Sequence, residues 1–214
     1  MRNLKLCAFL VLGLVLGGCQ SLAYKAYETI GVEKRDLLVK RVSAAREAQT
    51  DAREQFSTAL DRFRALVEIQ DAGELEERYD NLSAEYERSA SRAEEVRERV
   101  DAVEGVSEDL FDEWNREIGE YSDPKLRRDS QRLLRDTQRR YTTLMAAMRR
   151  AESTMEPVLR AFNDQVLALK HNLNARAIGS LRTELASIEK QTAALVADMD
   201  RAIAEANEFI SNMS

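Results

Sequence analysis

From residue 38 onward, apolar and small side chains recur at alternating steps of four and three. Leu38, Val42, Ala45, Ala52, Phe56, Ala59, Phe63 and Leu66 hold the series, and Gln49 alone interrupts its chemistry. A seven-residue repeat of this kind is the a/d seam of a coiled coil. Asp71-Ala72-Gly73 then supplies a helix stop.

The second run is Leu75, Tyr79, Leu82, Tyr86, Ser89, Ala93, Val96, Val100 and Val103, with its phase carried on through Ser107, Leu110, Trp114 and Tyr121. One helix to about Tyr121 is expected, with a candidate nick near Gly105 where Ser107 is a candidate fresh N-cap. Ser122-Asp123-Pro124 predicts a break and a new start, with Asp123 as N-cap and Pro124 at the first helical position.

The third run places Leu126, Ser130, Leu133, Thr137, Tyr141, Leu144, Met148, Ala151, Met155, Val158, Phe162, Val166, Leu169 and Leu173 on its seam. Pro157 falls inside it, and because the apolar phase continues across the proline, a bent but single helix is expected. The fourth run, Ile178, Leu181, Leu185, Ile188, Thr192, Leu195, Met199, Ala202, Ala206, Phe209 and Met213, follows a turn at residues 171–174. Four such runs joined by short turns predict an all-α, elongated, antiparallel up-down four-helix bundle or coiled coil.

Composition agrees with long helices: charged residues make up 33% of the chain and aromatics 6%, with only 8 glycines and 2 prolines. The charge is unevenly spread. Residues 74–123 carry 18 acidic and 6 basic side chains. Residues 124–150 hold Lys125, Arg127, Arg128, Arg132, Arg135, Arg139, Arg140, Arg149 and Arg150 against Asp129 and Asp136. Two readings follow: neutralisation across an antiparallel hairpin, which the adjacency in sequence favours, or an exposed strip for anionic lipid headgroups or phosphorylated sugars.

The amino terminus has a different character. Arg2 and Lys5 precede an apolar stretch over residues 6–16, and Leu16-Gly17-Gly18-Cys19 follows. This reads as a lipoprotein signal with its lipobox, cleaved before Cys19. Residues 6–18 number 13, short of the roughly 20 that a spanning helix needs. The expected organisation is a signal peptide over residues 1–18, a lipidated terminus and tether over 19–31, and a bundle over 32–214. Cys19 would carry covalent diacylglycerol and acyl chains, and no other cofactor is expected.

Cleavage would leave 214 − 18 = 196 residues, with 30 basic and 38 acidic side chains, a net of −8. Such a surplus argues against nucleic acid as a partner. Antiparallel packing puts the Ser122-Asp123-Pro124 turn and the carboxyl terminus at the lipid-proximal end, and the other two turns at the distal end. At the proximal end, Phe111, Trp114, Ile118 and Tyr121 read as packing residues in preference to a bilayer contact, because carboxylates surround them. At the distal turn, Lys170, His171, Asn172 and Asn174 read as a helix cap in preference to a partner-docking tip.

Catalytic chemistry has little to stand on. His171 is the sole histidine, with no ligand-spaced cysteine or carboxylate cluster, so no metal site is expected. No Gly-rich phosphate loop or nucleophile–histidine grouping can be assembled, and an enzyme is not expected.

Three stretches are distinctive beyond heptad composition: Tyr24-Lys25-Ala26-Tyr27-Glu28-Thr29-Ile30-Gly31-Val32-Glu33-Lys34-Arg35, Leu110-Phe111-Asp112-Glu113-Trp114, and Val166-Leu167-Ala168-Leu169-Lys170-His171-Asn172-Leu173-Asn174-Ala175. In these the chain resembles an uncharacterised family of Gram-negative lipoproteins, a domain of unknown function. The resemblance implies a lipid-anchored, coiled-coil periplasmic protein and carries over no catalytic residue. With Gln20 rather than Asp after Cys19, it implies the periplasmic face of the outer membrane. The expected role is a non-enzymatic scaffold or adaptor that presents its distal tip to a periplasmic protein. A membrane-binding or curvature-sensing coiled coil is the alternative, and self-association is compatible with both.

Overall fold

The computed structural model describes residues 34–68, 75–171 and 175–213. Four helices fill them: α1 (Lys34–Val67), α2 (Leu75–Glu120), α3 (Pro124–His171) and α4 (Ala175–Met213). Each packs against the next, and α1 also packs against α4, which closes the ring into a four-helix bundle. Among the described residues there is no strand. At 1.5 Å per residue, α1 is about 50 Å long and α3 about 70 Å.

The α1 seam is buried throughout, from Leu38 to Leu66, as its heptad spacing predicts. On α4, Leu181, Ile188, Leu195, Met199, Ala202, Ala206, Phe209 and Met213 do the same. Phe162 of α3 reaches diagonally across the interior to the rings of Phe56 and Phe63 on α1, at centroid distances of 6.5 Å and 6.4 Å. Elsewhere alanines on the seams let the helices approach closely. Burial of this shared face, more than helix propensity, holds such long helices together.

The two predicted interruptions do not break their helices. Gly105 lies within a continuous α2, and Ser107 is not a fresh cap: it is buried, and its hydroxyl donates to the Glu104 carbonyl at 2.7 Å. A serine bonded back onto the preceding turn leaves the ladder intact. Pro157 likewise sits inside a single α3. One break falls where it was expected. Asp123 caps α3, its carboxylate accepting from the Lys125 amide at 2.7 Å and its carbonyl from the Arg127 amide at 3.1 Å, with Pro124 first in the helix.

One part of the α3 seam is corrected. Leu126 and Leu133 are 52% and 56% exposed, while Leu134 is buried in their place. The expected turns at residues 71–73 and 172–174 lie outside the described residues.

Among the buried polar residues, which also include Ser89, Thr137, Gln165 and Thr192, three bear most on stability and register. Gln49 is fully buried, and neither end of its amide has a hydrogen-bond partner in the structure. Glu85 of α2 is buried beside Gln55 of α1, which donates to it at 2.7 Å, with Arg88 at 2.7 Å and Arg62 at 3.9 Å. Asp198 of α4 is buried and accepts from Arg150 at 2.8 Å and Thr154 at 3.0 Å on α3. Burial alone would push the Glu85 carboxyl up, but hydrogen bonds from Arg88 and Gln55 and the nearby guanidinium charges bring it below the ordinary glutamate range.

Two stability predictions follow from these groups. Gln49→Leu removes an unsatisfied amide from a dry seam and should raise unfolding free energy by about 1–3 kcal/mol in a urea titration. A decrease would mean that the amide is satisfied in solution. Because Glu85 is depressed on folding, its contribution is complete above the unfolded glutamate pKa of about 4.3 and disappears as pH falls through the lower folded value. Glu85→Gln should therefore flatten the acid limb of the stability profile, and a variant with an unchanged acid limb would refute this role.

Candidate functional site

The unequal helix lengths concentrate unusual surface at one end. Lys34 at the start of α1 pairs with Glu113 of α2 at 3.1 Å, and the Arg35 guanidinium donates to the Met213 carbonyl at the end of α4. At this level α1 begins and α4 finishes, yet α2 and α3 continue. The Trp114 indole donates to Ser130 at 2.9 Å, so residues 114–120 pair with 124–130 as a projecting hairpin about 10 Å long.

Aromatic groups clasp the base of this hairpin. Phe111 meets Tyr141 edge to face at 5.3 Å, and the Tyr141 hydroxyl bonds with Ser107. Burial, the largest influence on the phenolate, pushes Tyr141 above its ordinary value. Phe111 and Trp114 are half-buried and Ile118 is buried, which is the packing role their surroundings suggest. Tyr121 differs, being 40% exposed at the tip.

Beside the clasp lies a cleft of about 270 Å³ lined by Arg35, Trp114, Leu133, Arg140 and Met213, with Glu113 and Glu117 at its edge. Its walls are a tryptophan, aliphatic groups and charges of both signs. A second, more polar cleft of about 370 Å³ lies between α3 and α4 at Pro157, with Gln165, Glu184 and Gln191 around it. Among the described residues, no three or more His, Cys, Asp or Glu side chains are grouped to hold a metal ion.

The basic run divides in two. Its distal members are neutralised: Arg149 pairs with Asp101 at 2.8 Å and with Glu104 on α2, and with Glu152 at 2.8 Å, while Arg150 takes Asp198. The proximal members behave otherwise. Arg127, Arg128, Arg132, Arg135, Arg139 and Arg140 are all exposed, and among the described residues none makes an ion pair with α2. Arg132 and Arg139 pair only with Asp129 and Asp136 of their own helix, at 2.6 Å each, and Arg127 donates to the Tyr121 carbonyl at 2.6 Å. Neutralisation across the hairpin, the reading that adjacency favoured, thus stops short of residues 124–140.

The remaining sequence-derived positions are less informative structurally. Lys170 is exposed near the end of α3, which terminates at His171, whereas Asn172 and Asn174 lie outside the described residues. Leu16, Gly17, Gly18 and Cys19 lie outside them as well. Among the described residues, no helix is long and apolar enough to cross a membrane.

Comparison with known proteins identifies a family over almost the whole bundle. A family model described as protein of unknown function (DUF2959) matches residues 23–213. The chain belongs to this family. No curated protein and no solved structure matches it. The DUF2959 match begins 11 residues before α1, so the family's shared region includes part of the expected tether as well as the four helices.

Sequence reading missed the buried carboxylates Glu85 and Asp198. Each directly precedes a seam position, Tyr86 and Met199, and an acidic residue there is the signal that could have found them. It also missed the projecting hairpin, whose trace was the unequal length of the four runs.

The clasp yields a direct test. Trp114→Phe keeps the ring but loses the bond to Ser130, and should lower stability by about 0.5–1.5 kcal/mol in a denaturant titration. An unchanged midpoint would remove that bond from the account of hairpin stability.

Proposed function

We propose that this DUF2959 protein is a lipid-anchored envelope rod, a non-enzymatic scaffold or adaptor held at the periplasmic face of the outer membrane through Cys19. The observation that supports it best is positional. The first described residue of α1 lies only 15 residues after Cys19, and from there the bundle extends about 50 Å to the end where α1 and α3 terminate. An anchor at one end and chain turns at the other make the rod a spacer between a membrane and a partner. The lipobox Leu16-Gly17-Gly18-Cys19 supplies the anchor in this reading, and Lys170, His171, Asn172 and Asn174 supply the distal contact.

Palmitate labelling tests the anchor. The native chain should incorporate label and fractionate with the outer membrane, and Cys19→Ser should do neither. Label retained in Cys19→Ser, or a native chain left unlabelled, would defeat the anchor. A photo-crosslinker at Lys170 should capture a periplasmic protein. Lipid adducts alone would defeat the adaptor role.

A further inference from the structure

We propose that the projecting α2–α3 hairpin is a second membrane-binding element, which takes a phospholipid surface bearing anionic headgroups. This rests on the anchored reading only for where the membrane lies. The surface itself is argued from three independent features of the hairpin.

First, its exposed apolar groups are grouped. Tyr121, Leu126 and Leu133 are three of the four large hydrophobic side chains exposed among the described residues, and all three belong to this end. Leu126, Leu133 and Arg140 are spaced by seven and lie along one line of α3. Second, the exposed arc of α3 beside that line is cationic: Lys125, Arg132 and Arg139 each stand one residue before a member of it, about 100° round the helix, and Arg128 and Arg135 lie farther round. Residues 124–140 carry seven basic and two acidic side chains, a net of +5, and Lys125, Arg128, Arg135 and Arg140 make no ion pair among the described residues. Third, the rest of the chain repels the same surface. With a net of −8 expected for the mature protein, everything outside this segment sums to −8 − 5 = −13.

An apolar line beside a row of exposed cations, Lys125, Arg132 and Arg139, is the chemistry of an interfacial helix, whose leucines enter the headgroup boundary while cations meet phosphates. Tyrosine suits the same depth. The acidic face of α2 excludes that side from contact, so α3 faces the bilayer. Since the strip runs along the rod axis and ends near Arg140, contact through it tilts the rod toward α3 and leaves the distal half raised.

The test uses the full mature chain with Cys19→Ser, so that no acyl chain contributes. It should sediment with phosphatidylcholine vesicles containing phosphatidylglycerol and not with phosphatidylcholine alone. Salt at about 1 M, where the Debye length is about 3 Å, should release it. Arg132→Gln with Arg139→Gln should reduce partitioning about thirtyfold, and Leu126→Ser with Leu133→Ser should reduce it several-fold. These side chains are exposed, so helicity and melting serve as the check that each variant is folded. Arg160→Gln with Lys190→Gln, an equal charge change in the distal half at two exposed positions, should leave binding intact.

The proposal is overturned if the Cys19→Ser chain stays in the supernatant with anionic vesicles at low salt, or if the hairpin-end arginine variant and the distal-half variant lose binding equally. A chain that ignores vesicles but dimerises through Leu126 and Leu133 in sedimentation velocity overturns it in favour of a second copy. Failure of palmitate labelling strikes the anchor and leaves this vesicle result standing, so the two readings fail separately.

Discussion

One dry seam shared by four antiparallel helices of unequal length governs the molecule. Helices of 34 and 39 residues cannot cover partners of 46 and 48 over their whole extent. Where all four overlap, seam positions are buried and are mostly aliphatic groups, alanines and the phenylalanines Phe56, Phe63 and Phe162, with polar exceptions such as Gln49 and Thr192. Where two run on, the same heptad positions become surface. The ends of the bundle therefore differ through geometry before any difference in residue type is considered.

The polar intrusions depend on the same seam. Glu85 and Asp198 each bridge a pair of neighbouring helices, α2 to α1 and α4 to α3, and each is satisfied by several donors. A one-heptad slip would separate these carboxylates from their partners and leave charge stranded in the core, which is costly. Gln49 has no such compensation. The carboxylates thus specify register in a seam whose alanines and leucines would tolerate several alignments.

Heptad spacing made α1 and α4 legible almost residue by residue, and Asp123-Pro124 marked the start of α3. Leu126 was misplaced because spacing reports which face could be buried, not whether a partner extends far enough to bury it, and Leu133 because the buried face of α3 passes to Leu134 at its level. Charge segregation was legible, but its outcome was not: counting by segment does not say which side chains face one another, and Arg149 finds Asp101 and Glu104 because they lie across from it. Gly105 carries a helix-breaking prior that tertiary packing overrides. The family match from residue 23 agrees with the distinctive stretches noted in the sequence, while Cys19 falls ahead of it and rests on the signal pattern alone.

The straps at the start of α1 have a mechanical meaning. Lys34 is joined to Glu113 and Arg35 to the carbonyl of Met213, so a force entering from the preceding chain meets α2 and α4 at once. That force acts along the axis of α1, parallel to its seam. Separation would require dragging about 50 Å of interlocked side chains past their neighbours together, whereas a pull across the bundle could peel them one turn at a time. The connectivity makes the protein strongest in the direction in which a tether upstream of α1 would load it.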